Sequence, residues 1–336
     1  MKLRSIILVI LDALRRDHLG IYGYKKSKAK NIDRLGKKSI VFWNAYTKGT
    51  TTYLSIRRLL SLRDSYNPLE YLVVLWEQKP FLRPIKRLRT PSYKRGNNNI
   101  PNWYRVYLEI NEKIGLALYR RYLSFPTVFS ILSKKWVVGI VAANAFYYFL
   151  RRDGIDYLKI ILESPEKIKE HIPTDPFKIT EEGIRFIKKH RDQPFLLLLH
   201  YFQPHEPYIS PYWKRGIEIE ELKQLASEIR RKGKLSLLTL ERIRNAYDAC
   251  IKWVDKALKP LIRYAKKADV VLTITADHGQ LLGEHGYLGH PAHASFDELT
   301  HIPLIVYGAH LRPTIIFKKF YLHQLIPYLI ELAIHG

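Results

Sequence analysis

Cysteine and methionine are nearly absent from this 336-residue chain: there is one of each, Cys250 and the initiator methionine. A single thiol excludes an internal disulfide and any metal cluster built on cysteines. Cys250 lies in AYDACIKWVDKAL, a helical apolar pattern, where it reads as packing. Scarce Cys and Met beside abundant Lys, Arg, Ile and Tyr is a composition of the thermophile kind. Long apolar runs are missing too. The longest, WVVGIVAANAFYYFL (136–150), contains Gly139 and Asn144 and is too short to span a bilayer. The opening stretch, MKLRSIILVILDALRRDHLG, is interrupted by Asp12, and no small-residue cleavage site follows, so no signal peptide is expected. These absences predict a cytoplasmic protein that meets membranes, if at all, at their surface.

Acidic residues are also in short supply. There are 31 Asp and Glu against 56 Lys and Arg, a formal net charge of +25. That balance favours anionic partners: nucleic acid, an acidic membrane surface, or phosphorylated or sulfated substrates. Its competing explanation is plain solubility. The hydrophobic share, 47%, is that of a globular chain, and the length suffices for one large α/β domain or two smaller ones.

Six β-rich apolar runs are present: SIILVILD (5–12), SIVFWNAYT (39–47), WVVGIVAAN (136–144), PFLLLLHYF (194–202), DVVLTITAD (269–277) and IPLIVYG (302–308). Amphipathic segments such as TEEGIRFIKKH and LTLERIRNAYDACIKWVDKALKPLIRYAKK lie between them. Alternation of this kind predicts an α/β fold, a mostly parallel central sheet with helices on both faces. Two stretches break the pattern. Residues 64–125 include KPFLRPIKRLRTPSYKR, rich in Lys and Arg without an acid, and read as a basic insertion or cap within a single domain spanning 1–336. Residues 209–236 read as a helical, charged insertion.

In open α/β sheets ligands sit beyond the carboxyl ends of the strands. Asp12, the run Thr50 to Thr52, His200 to His205, and Asp277 with His278 all fall at or just after such ends. The threonine run precedes a helical pattern at Ile56, Leu59 and Leu60. One threonine there serves as an N-cap, or one hydroxyl serves as a nucleophile at a helix N-terminus, where amides favour an anion. A carboxylate and an imidazole side by side, as in ADHG (276–279), suit a divalent metal, and Gly279 lets the chain turn away. Arg15 and Arg16 read as surface residues.

The order of these segments resembles the sulfatase branch of the alkaline phosphatase superfamily. VILDALRRDHLGIYGY is similar to the family's opening, NIDRLGKKSIVFWNAYTKGTTTYLSIRRLLSL to its nucleophile segment, QPFLLLLHYFQPHEPYISP to the segment with a substrate-binding His, and VVLTITADHGQLLGEHGYLGHPAHASFDELTHIPLIVYG to its most specific stretch. The resemblance implies an alkaline-phosphatase-like fold and a divalent metal held by Asp12, Asp277, His278 and the nucleophile oxygen. Zinc, manganese, calcium and magnesium are the candidates, with one ion favoured over two. The nucleophile position falls at Thr52, with Thr51 as the neighbouring alternative. Where sulfatases place Cys or Ser in a Cys-x-Pro-x-Arg pattern, this chain has Thr52 followed by YLSIR, with the arginine displaced to Arg57. Gln203 stands where many relatives carry Asp. His205 is implied to bind a substrate oxygen or protonate the leaving group, and Arg57, His200, His290 and His293 to contact substrate. The expected activity is hydrolysis or transfer of a phosphate or sulfate ester through a covalent threonine intermediate. The expected substrate is an anionic small molecule, glycan or lipid headgroup, with peripheral contact to an anionic membrane and no nucleic acid. The alternative is a protein of this fold that has lost the reaction and binds anionic lipid, glycan or nucleic acid.

Overall fold

All six apolar runs become strands of one sheet. The computed structural model describes residues 3–61, 127–144, 146–147, 154–163, 173–291 and 294–335. The basic stretch 64–125 lies outside them. Thirteen strands are present among these residues: β1 Ser5–Leu11, β2 Ile40–Tyr46, β3 Val137–Ala142, β4 Tyr157–Ile160, β5 Phe195–Tyr201, β6 Tyr208–Ser210, β7 Trp213–Ile217, β8 Val270–Thr275, β9 Leu281–Leu282, β10 Leu288–Gly289, β11 His301–Tyr307, β12 Thr314–Ile316 and β13 Phe320–Tyr321. Nine of them form the main sheet, in the order β12-β2-β11-β8-β1-β5-β3-β4, with β13 also on β2.

Strands β8, β1, β5, β3 and β4 run parallel. Strand β11 alone is inverted, antiparallel to both β8 and β2. Two reversals restore β2 to the direction of β8, so its carboxyl end lies on the same edge as those of β1, β5 and β8. The central strands are buried at every position from Ile6 to Leu11, in all of β5 and in all of β8. Only a sheet covered on both faces hides alternate residues equally, which is why these strands read as continuous apolar runs.

Helix α2 (Thr52–Leu60) begins at the site, and α1 (Lys30–Gly36) precedes β2. The long amphipathic run near residue 250 is two helices, Leu237–Ala257 and Lys259–Ala265, the second with a proline in its first turn. The 209–236 stretch is not helical throughout: most of the small β6–β7 hairpin precedes the helix Ile219–Lys232. Arg15 corrects its surface assignment. It is buried, with ion pairs to Asp17 at 2.7 Å and Glu284 at 2.9 Å, and it donates to the Gln280 carbonyl at 3.1 Å. Arg16 lies over the rings of Tyr22 and Trp43, 4.8 and 4.9 Å from their centroids.

Candidate metal and nucleophile centre

The carboxyl edge of the sheet gathers the predicted residues. Asp12 follows β1, its amide donating to the Tyr201 carbonyl at the end of β5. The next residue, Ala13, has φ 61°, a left-handed conformation rare for a residue with a side chain. Its carbonyl accepts from the Tyr247 hydroxyl at 2.7 Å, and that hydroxyl accepts from the Arg15 amide at 2.8 Å. The Ala13 amide donates to Asp277 Oδ1 at 3.2 Å. A turn held from three sides thus points Asp12 inward.

The threonine run divides its labour. Thr51 is the N-cap of α2, its Oγ1 accepting from the Leu54 amide at 3.5 Å. That leaves Thr52, the first helical residue, with its hydroxyl 3.3 and 3.4 Å from the two oxygens of Asp12. Thr50 is buried and reaches the Pro291 carbonyl at 3.5 Å. The cap of the run thus falls on Thr51, and the Thr52 hydroxyl is left beside Asp12.

Asp277 and His278 follow β8 and are fully buried. Gly279 has an ordinary φ, so its reason is space and not a turn: a Cβ there would stand 1.9 Å from the Glu298 carbonyl oxygen. Its amide donates to the Leu299 carbonyl at 2.7 Å, which clamps the strand end against the helical turn just before β11.

His278 Nε2 lies 3.5 Å from Asp12 Oδ1 and 3.6 Å from Asp277 Oδ2. His200 Nε2 lies 3.8 Å from Asp12 Oδ2 and 3.9 Å from Asp277 Oδ2. Three of these atoms, Asp277 Oδ2, His278 Nε2 and His200 Nε2, are buried without a hydrogen-bond partner. Orphaned buried polar groups are costly, and three facing one point call for a common partner. Donors bonded to one ion at about 2.1 Å stand about 3 to 3.5 Å apart, so this cluster fits a divalent cation with little adjustment. His200, expected to contact substrate, is thus located at the carboxylate cluster. Burial pushes both carboxylates up; the charge of Asp277 keeps Asp12 raised. For Asp277 the two imidazoles, the Thr52 hydroxyl and the Ala13 amide outweigh burial and hold it below its ordinary value. Burial holds His200 low and neutral, as a metal ligand must be.

Two neighbours escaped the sequence reading. Asn144, at the end of β3, donates to Asp12 Oδ2 at 3.4 Å. Tyr147 hydrogen-bonds His200 Nδ1 at 2.8 Å. The strand-end rule itself would have found Asn144, which instead read as a break in an apolar run.

On the open side stand His205 and His290, their Nε2 atoms 2.9 Å apart, with Glu206 beside them. The His278 and His290 rings are 4.5 Å apart, which places this pair next to the buried cluster. Gln203 turns away, donating to the Thr174 carbonyl at 2.7 Å. Arg57 is buried on α2, about 140° around the helix from Thr52. His293 lies outside the described residues.

The sheet order and the cluster at its carboxyl edge define an alkaline-phosphatase-like fold with a metal-competent centre. The chain belongs to the sulfatase family, whose sequence model matches residues 4–106 and 136–333. That match enters the basic stretch as far as residue 106. Human iduronate 2-sulfatase is 24% identical over 343 residues, covering 90% of this chain and 59% of its own length. This chain therefore spans less than two thirds of that relative. Among solved structures, BT4656 in complex with its substrate D-glucosamine-2-N,6-O-disulfate superposes with a TM-score of 0.64 at 15% identity, over 99% of this chain and 77% of that one. The zinc complex of the C-terminal periplasmic domain of EptC from Escherichia coli gives 0.61 at 16%, over 99% and 83%. At these identities the structures establish the fold.

Proposed function

We propose that this protein is a metal-dependent hydrolase or transferase of sulfate or phosphate esters, with the Thr52 hydroxyl as nucleophile. The observation that carries the reading is the placement of Thr52: freed from capping by Thr51, it stands 3.3 Å from Asp12 among the orphaned donors. Asp12, Asp277, His278, His200 and Thr52 Oγ1 would hold the ion. A divalent cation there supplies positive charge that lowers the hydroxyl's pKa and offsets charge on the ester oxygens. Two imidazoles and two carboxylates suit zinc or manganese better than calcium or magnesium.

Thr52 Oγ attacks the sulfur or phosphorus, with Asp12 placed to accept the hydroxyl hydrogen. The bond to the departing alcohol breaks, leaving an ester on Thr52. Amides of the first turn of α2 face the transferred group. The His205–His290 pair, on the open side, offsets the charge on the departing oxygen by the proton the two rings share. Water, or an acceptor alcohol, then takes the group from Thr52.

The substrate class in this reading is an anionic glycan or a lipid headgroup ester. BT4656 was solved with a sulfated sugar, which supports the glycan arm. A membrane arm rests on the tip between two helices. Leu237 and Leu238 are 85% and 79% exposed, beside exposed Arg230, Arg231, Lys232 and Lys234. Leu240, on the same helix, packs against Gly283 in the loop that follows the site. Among the described residues no helix is long and apolar enough to cross a membrane. The cytoplasmic location read from the sequence belongs to this proposal, and cell fractionation tests it.

Turnover of aryl sulfates and aryl phosphate mono- and diesters tests the nucleophile. Thr52→Ala is expected to lose on the order of 10³-fold or more, with bound metal retained, while Thr52→Ser keeps measurable activity. Unchanged turnover in Thr52→Ala refutes the assignment. The second reading, a non-catalytic binder, draws on the departure from the Cys-x-Pro-x-Arg pattern around Thr52. A native protein that binds esters without turning any over would establish it.

A further inference from the structure

His205 and His290 present a contradiction that their own hydrogen bonds create. His205 Nδ1 faces the Glu206 carbonyl oxygen at 2.7 Å, and His290 Nδ1 faces the Thr50 carbonyl oxygen at 3.1 Å. A carbonyl oxygen only accepts, so each ring carries its hydrogen on Nδ1. A neutral imidazole then has a bare lone pair on Nε2. The two Nε2 atoms are 2.9 Å apart, so two lone pairs point at one another. Neutral rings would repel there. Something positive belongs between them.

Glu206 adds charge at the same place. Its carboxylate oxygens lie 3.9 Å from His290 Nε2 and 3.7 Å from His205 Nδ1. It is fixed from behind by the Gln280 amide, whose nitrogen also bonds the Tyr208 hydroxyl at 2.7 Å. The ligand atoms of His205, Glu206 and His290 all fall within 4.8 Å of one another, and the three residues are half-buried, open to an entering ion. Two neutral imidazoles and one carboxylate on a face with open positions is a donor set for zinc, manganese or iron(II). Each ring is oriented by a backbone carbonyl on its far nitrogen, as metal-ligating histidines commonly are.

We propose that His205, Glu206 and His290 form a second cation site, beside the one built on Asp12, Asp277 and His278. This deepens the reading above and rests on it. Gln203 turns away to the Thr174 carbonyl, and the carboxylate stands three residues further on, at Glu206. In the empty pair the two rings share one proton. Loading exchanges that proton for a divalent ion, and the departing oxygen of the ester then meets a cation in place of an imidazolium.

Metal stoichiometry tests this directly. Full-length protein stripped with chelator is titrated with zinc, counted by elemental analysis, and with cobalt(II), followed by visible absorption. The native protein is expected to take up two equivalents. His290→Ala and Glu206→Ala each drop the count to one, and Asp277→Asn also drops it to one by emptying the other site. The Asp277→Asn protein keeps a cobalt spectrum that the further change His290→Ala abolishes. One equivalent in the native protein, with none in Asp277→Asn, overturns the second site and leaves the first intact. No bound ion in the native protein overturns both. Two equivalents that survive both His290→Ala and Glu206→Ala place the second ion elsewhere and refute this assignment.

Discussion

A single oxygen atom explains why Gly279 follows the Asp-His pair. The Glu298 carbonyl occupies the space where any side chain at residue 279 would begin. Gly279→Ala must push the Asp277–His278 strand end away from the helical turn just before β11. Overpacking of this kind costs about 1 to 3 kcal/mol, and here it also displaces two donors of the buried cluster. The expected outcome is a lowered urea midpoint together with weakened metal binding. An unchanged zinc affinity in Gly279→Ala would show that the cluster does not depend on this contact. Most of the cluster was legible residue by residue: Asp12, Thr52, Asp277 and His278 sit where the strand-end rule put them. Glu206 was not, because a lone acid between two prolines carries no pattern; its meaning comes from His290, distant in the chain and close in space. Tyr147 was hidden in the same way, read as one more aromatic of an apolar run.

Among elements, legibility followed burial. Strands β1, β5 and β8 are hidden on both faces and announce themselves as apolar runs. Strand β4, with an intermediate-to-exposed pattern at the sheet edge, and the two- and three-residue strands have too few buried positions to leave a signature. Nor did α1 announce its cap, since its acceptor comes from another helix. Asp255 accepts from the Asn31 amide at 3.0 and 3.1 Å and from the Ile32 amide at 2.9 Å, sealing the α1 N-terminus. Burial pushes this carboxyl up from 3.8 to about 6. A group whose folded pKa is raised adds stability in full below its unfolded pKa, and that contribution fades as pH climbs through the folded value. Asp255 therefore becomes progressively more costly between about pH 4 and pH 6. An Asp255→Asn variant, neutral throughout, should gain on the native protein across that window by up to about 3 kcal/mol. Urea unfolding of both proteins at pH 4.5 and pH 7.5 measures it; a pH-independent difference would mean that burial imposes no charge penalty at this cap.

For the molecule as a whole, the proposed membrane contact combines the excess of positive charge with the exposed leucine tip. Burying Leu237 and Leu238 in a bilayer contributes about 1.5 to 3 kcal/mol each, and each basic residue near an anionic surface about 1 kcal/mol. Together these are enough for reversible association and for a marked dependence on lipid charge. Sedimentation with vesicles should show binding to phosphatidylglycerol and little to phosphatidylcholine, reduced by added salt and abolished by Leu237→Ser with Leu238→Ser. Equal binding of the double variant would move the contact to another part of the surface.

Strand β1 sits between β5 and β8, and both neighbours come far later in the chain. A ribosome making this protein releases the segment SIILVIL long before either partner exists. At about 5 to 20 residues per second, roughly 15 to 50 seconds separate the emergence of Asp12 from that of Asp277. Until β5 emerges the most apolar strand of the fold has nothing to pair with, and until Asp277 and His278 follow, the buried cluster lacks two of its donors. The growing chain therefore depends on something else to shield β1, and an interrupted chain ending before residue 277 carries no finished centre. The buried cluster is assembled from both ends of the chain, and only strands β11 to β13 of the main sheet are made after it.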